Sequence, residues 1–209
     1  MNVIPIQSNE INIPMSINLG NVIFRDFYAV WRDFLNGTLT ELNDELIPSN
    51  ITSLSDSSFR NHPSLSIVNL THIDSVGSYC FYYCPIVEMH LPNLQIAGSY
   101  AFAYNAYTSL DFPKLIEARS GMCYYCQNLE TVSFDKAVTL YNQAFYYCRN
   151  LDTLILRDDT KSTLSSSNVF IGTKIASGEG HIYVPTNLVE EYKNDPIWSI
   201  YSSQIESIT

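Results

Sequence analysis

Six residues set the register of this chain. Phe59, Phe81, Phe102, Cys123, Phe145 and Phe170 follow one another at intervals of 22, 21, 21, 22 and 25 residues, a period typical of stacked repeat units. Three residues after the first five stand His62, Cys84, Asn105, Cys126 and Cys148. A short apolar alternation then follows in each unit: Leu65, Val68 and Leu70; Met89 and Leu91; Leu110 and Phe112; Leu129, Val132 and Phe134; Leu151, Leu154 and Leu156. Alternation with period two predicts a strand. Apolar or small residues also recur eight and five positions before the first column, as in Ile73 and Val76 or Leu115 and Ala118. The units of Phe81 and Phe102 are one residue shorter before the strand, and the deletion falls in a loop.

A coil of about 22 residues cannot enclose its own apolar side chains, whereas stacked coils place each column on itself and form a continuous core. The spacing therefore predicts a repeat solenoid with one short strand per 21–25-residue rung and six or seven rungs. Such a core must be capped at both ends. At the C-terminus, Ile182–Val184 reads as a last rung. Asn187 with Glu190 three residues on reads as the start of a helix, and Leu188, Tyr192, Trp198, Tyr201 and Ile205 as its covering face. At the other end, residues 22–35 place Phe24, Phe27, Trp31, Phe34 and Leu35 at helical spacing, Asn36-Gly37 is a stop signal, and 38–42 alternates as a first strand. The expected division is an extended arm over 1–20 with Pro5 and Pro14, an N-terminal capping helix and strand over 21–50, the solenoid over 51–160, and a degenerate last repeat with a C-terminal cap over 161–209.

Units such as YCFYYCPIVEMHLP, QAFYYCRNLDTLIL and SSFRNHPSLSIVNL resemble BspA-like leucine-rich repeats, in which an aromatic after a small residue is followed by Cys or Asn, then Leu and a short strand. The closing segment is similar as well, with Gly172-Thr173, Gly178, Gly180, Ile182-Tyr183-Val184-Pro185, Leu188, Tyr192 and Trp198. The resemblance covers about residues 51–209. It implies a leucine-rich repeat fold and a role in binding surfaces, glycans or proteins.

Other function classes find little support in the residues. With 21 acidic against 11 basic residues the formal charge is −10, so the summed field repels nucleic acid and anionic membranes. No stretch is long and apolar enough to predict membrane insertion, and the first fifteen residues lack the basic, apolar pattern of a signal peptide. Localisation is therefore left open between the cytoplasm, a virion and a route outside general secretion. Phosphate-binding loops, nucleophile elbows and paired metal-binding histidines are absent as local motifs. No cofactor, no metal and no catalytic residue is expected. The five cysteines are expected to be reduced. Cys123-Tyr-Tyr-Cys126 has the spacing of a zinc or redox pair, but Cys123 stands in the core column and Cys126 in the column of Cys84 and Cys148, which predicts two structural thiols.

What remains is surface. One candidate is a ladder in which Tyr83, Tyr104, Tyr125 and Tyr147 share one column and Tyr82, Tyr124 and Tyr146 the next. The other is the outward side of the strands, represented by Glu88, His90, Asp111, Thr131 and Ser133. Rungs lie about 4.8 Å apart, so neighbouring rings can stack into a rigid amphipathic area suited to protein or sugar recognition. The expectation is a non-enzymatic binding or adhesion module for a protein or glycan surface. The alternative is a structural component of a bacteriophage particle that contacts other virion proteins through its N-terminal arm.

Overall fold

The computed structural model of the protein describes residues 33–208, and the expected arm over 1–20 and most of the expected capping helix lie outside them. On one side of the solenoid run β1 (Glu41–Asn43), β3 (Ile67–Asn69), β5 (Glu88–His90), β7 (Ser109–Phe112), β9 (Thr131–Phe134), β11 (Thr153–Leu156), β13 (His181–Val184) and β14 (Ile205–Ser207). On a second side run β2 (Ser53–Leu54), β4 (Ser75–Val76), β6 (Ile96–Ala97), β8 (Glu117–Ala118), β10 (Thr139–Leu140) and β12 (Thr163–Leu164). Every pairing is parallel. The first six rungs thus carry two strands each where the sequence predicts one, the last two carry one, and eight strands stack on the first side where six or seven rungs are predicted. The second strands are two residues long, too short for alternation to be visible, yet each pairs with its neighbours in the stack, the inner four on both sides.

Register places like on like. Leu110, Val132, Leu154, Ile182 and Ile205 face one another across β7, β9, β11, β13 and β14, and Leu54, Val76, Ala97, Ala118, Leu140 and Leu164 do so on the second side. All are buried. In the rung of Phe145 the residue eight positions before the first column, Ala137, is only half-buried, and Val138 beside it is buried instead. The first side divides into a three-stranded and a five-stranded sheet between β5 and β7, where the Ala106 N–H to Ile86 carbonyl bond crosses the junction at 2.8 Å.

The third side is an arc without strands, held by a ladder of its own. Phe59 N–H donates to the Cys80 carbonyl at 2.8 Å, Phe81 to Ala101 at 2.8 Å, Phe102 to Met122 at 2.9 Å, Cys123 to Ala144 at 2.8 Å and Phe145 to Val169 at 3.0 Å. Of the residues two before and two after these, all but Gln143 also donate to the next rung, as with Tyr79 to Ser99 at 2.9 Å and Tyr83 to Ala103 at 2.9 Å. Those flanking residues take positive φ: Ser57, Tyr79, Tyr100, Gly121 and Gln143 before, and Asn61, Tyr83, Tyr104, Tyr125, Tyr147 and Gly172 after. The left-handed conformation is uncommon for a bulky residue and costs roughly 1–3 kcal/mol unless packing offsets it.

The column three residues after the first is a set of buried donors. Cys84 Sγ donates to the Phe59 carbonyl at 3.0 Å, Asn105 Nδ2 to Phe81 at 2.8 Å, Cys126 Sγ to Phe102 at 3.2 Å and Cys148 Sγ to Cys123 at 2.9 Å. Each reaches back one rung to the carbonyl of the first-column residue, which a buried main chain requires to be satisfied. His62 departs from the pattern predicted for it. Its Nδ1 accepts from Leu65 N–H at 3.1 Å within its own rung, and its ring stacks on Phe34 at 5.5 Å.

Inside, the Phe59, Phe81 and Phe102 rings stack at 5.2 and 6.1 Å. At Cys123 the first column loses its ring and the stack moves sideways: Phe102 meets Phe112 at 5.9 Å, and Phe112 meets Phe134 at 6.0 Å. Phe112 and Phe134 stand at strand positions where other rungs have Leu70, Leu91 and Leu156, so the larger strand residues compensate for the smaller column residue. Tyr107, one residue before the expected core position because of the loop deletion, fills the column of Leu65, Leu129 and Leu151, and its hydroxyl donates to the Phe102 carbonyl.

The ends are closed mainly by aromatic side chains. Phe34, in the final helical turn over 33–35, meets Phe59 edge-on at 5.6 Å. The first strand begins at Glu41 and not at Thr38. At the far end Trp198 packs on Phe170 at 6.2 Å and donates to the Ser162 carbonyl at 2.9 Å, while the Tyr192 hydroxyl accepts from Ser162 N–H at 2.7 Å. Asn187 does not cap the helix Val189–Lys193: a 3-10 turn over Thr186–Leu188, set by Pro185, precedes it, and no side chain caps either segment. Ile205 belongs to β14, which adds a strand beyond the expected last rung.

Two substitutions separate column packing from column identity. Phe81→Ala opens a cavity between stacked rings and is expected to cost about 3–5 kcal/mol. Cys123→Phe restores the repeat pattern but meets a site already filled from the strand side, and is expected to destabilise by about 1–3 kcal/mol. Urea unfolding monitored by circular dichroism measures both, and a more stable Cys123→Phe protein would contradict the compensation by Phe112.

Candidate ligand-binding face

The arc presents the tyrosines in aligned files. Tyr83, Tyr104, Tyr125 and Tyr147 hold the left-handed position after the first column, and their rings follow at 5.8, 5.4 and 5.2 Å, the last two pairs stacked. In the neighbouring file Tyr124 stacks on Tyr146 at 5.2 Å. Ala103 replaces a ring there, and Tyr104 spans the gap, contacting Tyr82 at 5.3 Å and Tyr124 at 5.7 Å. The structure adds two members that the sequence reading missed. Tyr79 and Tyr100 stack at 5.2 Å, and Tyr100 meets Tyr124 at 5.6 Å. Their file lies two residues before Phe81 and Phe102, but Ser57, Gly121 and Gln143 interrupt it, so it does not read as a column of rings. Gly121 is required there, because a Cβ would lie 2.4 Å from the Tyr100 ring.

Most of these rings are half-buried against one another, and Tyr83 is 62% exposed. Burial, then the neighbouring phenols, raise Tyr100, Tyr104 and Tyr124 above the ordinary tyrosine value, so these hydroxyls stay neutral donors and acceptors. Arg60 lies over Tyr79 and Tyr82 at 5.2 Å at one end of the files, and Arg149 over Tyr147 at 5.8 Å at the other. The arcs themselves, residues 57–63, 78–86, 99–107, 120–129 and 142–151, contain no Asp or Glu in a chain with 21.

The strand side has a different character. Register aligns Ile67 with Glu88, Asn69 with His90, Ser109 with Thr131 and Thr153, and Asp111 with Ser133 and Ile155, as alternation predicts. Glu88, His90 and Asp111 are exposed and Thr131 is half-buried. Ser133 is a correction: it is buried and not presented outward, its hydroxyl donating to the Asp111 carboxylate beside it. Arg157 pairs with Asp135 at 2.7 Å and lies 3.7 Å from Asp111, so part of this face is occupied by its own ion pairs.

Between the two sides runs a groove of about 740 Å³, lined on the arc side by Asn61, Tyr83, Tyr104 and Tyr125 and on the other by residues including Pro63, Pro85, Gln127 and Asn128. It crosses four rungs. The predicted site residues therefore fall in two groups that do not meet, one on the arc and one on the strands.

The cysteines face inward, and all five are free and buried. Cys126 Sγ lies 3.3 Å from the Tyr107 hydroxyl, with Cys123 Sγ at 3.8 Å from the same oxygen. Burial raises Cys123 and Cys148, and pushes Cys80 up and Cys84 up to about 11. Among the described residues no group of three or more His, Cys, Asp or Glu is placed to hold a metal ion.

A family model described as the BspA type leucine rich repeat region matches in six copies over residues 52–176. The chain belongs to the BspA-type leucine-rich repeat family. The match begins just before β2 and ends within the helix Lys174–Ser177, so both caps lie outside it. A crystal structure of a leucine-rich repeat protein from Bacteroides ovatus is similar at 14% identity and a TM-score of 0.34, over 81% of this chain and 66% of that one. No curated protein matches. In this BspA-type chain the Cys and Asn of the repeat are accounted for as donors to first-column carbonyls.

The raised thiols predict a pH dependence. The stability that comes from keeping Cys84 neutral is fully present below the ordinary thiol value of 9.0 and is lost as pH rises through about 11. The melting temperature is therefore expected to stay level to about pH 8.5 and fall between about pH 9 and 11, with a shallower fall in Cys84→Ala. A fall of equal steepness in that variant would assign the transition to other groups.

Proposed function

We propose that this protein is a non-enzymatic binding module of adhesion type, which engages a protein or glycan surface with its tyrosine-bearing arc. The repeat solenoid supports the coarser reading of an interaction module, and repeat proteins of this kind use extended regular surfaces for recognition. The observation that carries the finer reading is the exclusion of every acidic residue from the arcs of a chain with net charge −10, combined with stacked tyrosines held in a costly backbone conformation. Tyrosine supplies large, rigid and amphipathic contact area at low entropic cost. The strand side, with Asp111 joined to Ser133 and Arg157, is the weaker candidate. The virion reading rests on an arm outside the described residues, and no observation on the fold supports it.

The arc can be altered without breaking the rung, because Asn tolerates the left-handed conformation better than Tyr. Tyr83→Asn with Tyr125→Asn is expected to reduce binding to immobilised glycoproteins or glycan arrays at least about tenfold, equivalent to about 1.4 kcal/mol. Glu88→Gln with Asp111→Asn should leave it within about twofold. Surface plasmon resonance on folded proteins measures both, and the opposite ranking would move the site to the strands.

A further inference from the structure

We infer that the groove beside the tyrosine files is a subsite for an extended, electrically neutral glycan, laid along the solenoid axis with one sugar ring per rung. The inference rests on the binding-module reading above and narrows it to a ligand class. Three properties of the groove select that class.

The first is charge. Its lining contains no Asp, Glu, Lys or Arg. The imidazole of His62, at its edge, is held below its usual value by burial, with the Phe34 carbonyl acting in the opposite sense. A charged polymer would leave water here for a site without a counter-charge, which is unfavourable. A polyhydroxyl ligand needs only neutral donors and acceptors. Asn61, Gln127 and Asn128 present exposed amides that supply both in one side chain.

The second is spacing. Tyr83, Tyr104 and Tyr125 enter the groove once per rung, with ring centroids 5.8 and 5.4 Å apart. Successive rungs repeat at about 4.8 Å, close to the length of one pyranose unit in an extended β-linked chain. Over these three rungs each sugar can therefore meet one phenol ring, while the exposed amides stand at the two ends of the run, Asn61 before Tyr83 and Gln127 and Asn128 beside Tyr125. Tyr104 stacks on Tyr125, so these rings cover part of each other's faces and meet a ligand in the groove partly through their edges.

The third is the state of the main chain. A peptide that binds by adding a strand needs unpaired N–H and C=O groups along the site. Here the N–H groups of Tyr83, Tyr104 and Tyr125 are already given to Ala103, Tyr124 and Tyr146 of the next rung, each at 2.9 Å. The groove offers side chains and little free backbone, which favours a ligand recognised through rings and hydroxyls.

Isothermal titration calorimetry with neutral β-linked hexose oligosaccharides of increasing length tests the inference. Affinity is expected to rise with each added sugar to about three units, one for each tyrosine-bearing rung, and then level off. Tyr104→Asn should weaken binding at least about tenfold while leaving the melting temperature close to that of the parent, and Gln127→Ala should weaken it several-fold. Tyrosine-dependent binding to proteins or proline-rich peptides without oligosaccharide binding would overturn the glycan assignment and leave the binding-module reading standing. Salt-sensitive binding of charged polysaccharides alone would overturn it as well. Binding that is indifferent to Tyr104→Asn and lost in Asp111→Asn would overturn the inference and move the module's binding site from the arc to the strands.

Discussion

Four central rungs of this protein are held in register by a bond that each makes to the carbonyl of the rung before it. A buried side-chain donor three residues past the first column, Cys84, Asn105, Cys126 or Cys148, reaches back to the main chain of the preceding first-column residue. A hydrogen bond of this sort contributes at most about 0.5–1.5 kcal/mol, with thiols at the weak end, but leaving the carbonyl unmet costs more. That asymmetry explains why the position takes Cys or Asn in these four rungs and no aliphatic residue, while His62 and Thr173, at the two ends of the column, bond within their own rungs. It also fixes how far one rung can slide over the next. Phenylalanine stacking, strand register and the alignment of the tyrosine files all depend on that offset.

Much of the architecture was legible because it follows from that periodicity. The first column and the strand alternation are properties of single positions, visible in any one unit and reinforced by the others. What escaped is relational. The two-residue second strands exist because neighbouring copies pair with them, and a pair such as Ser53-Leu54 carries no pattern of its own. The exchange of Cys123 against Phe112 and Phe134 is a compensation between positions eleven residues apart on either side, which no column inspected alone reveals. Tyr107 was hidden by the same loop deletion that preserves its rung. The Asn187 cap failed for a local reason: Pro185 directs the chain into a 3-10 turn before any α-helix can start.

The candidate site was legible by a similar measure. The tyrosine files over Tyr82 to Tyr147 followed from the columns, and register on the strand side followed from alternation. Their backbone conformation did not, since tyrosine is a poor signal for positive φ, and the residues that announce it, Asn61, Gly121 and Gly172, are scattered through the column. Ser133 was misplaced because alternation tells which way a side chain leaves the strand but not whether its neighbours, Asp111 and Arg157, close over it. The groove is a property of the corner between two sides, a place the repeat describes only indirectly.

On the arc, the inter-rung bonds made by the first-column residues and their flanking partners run in one direction, from the N–H of one rung to the carbonyl of the next. A whole rung copied into the middle of the stack would therefore find an acceptor ahead of it and a donor behind it, with both ends and their aromatic caps unchanged. The length of the tyrosine face is for that reason a variable that gene duplication can adjust one step at a time, independently of the chemistry the face carries.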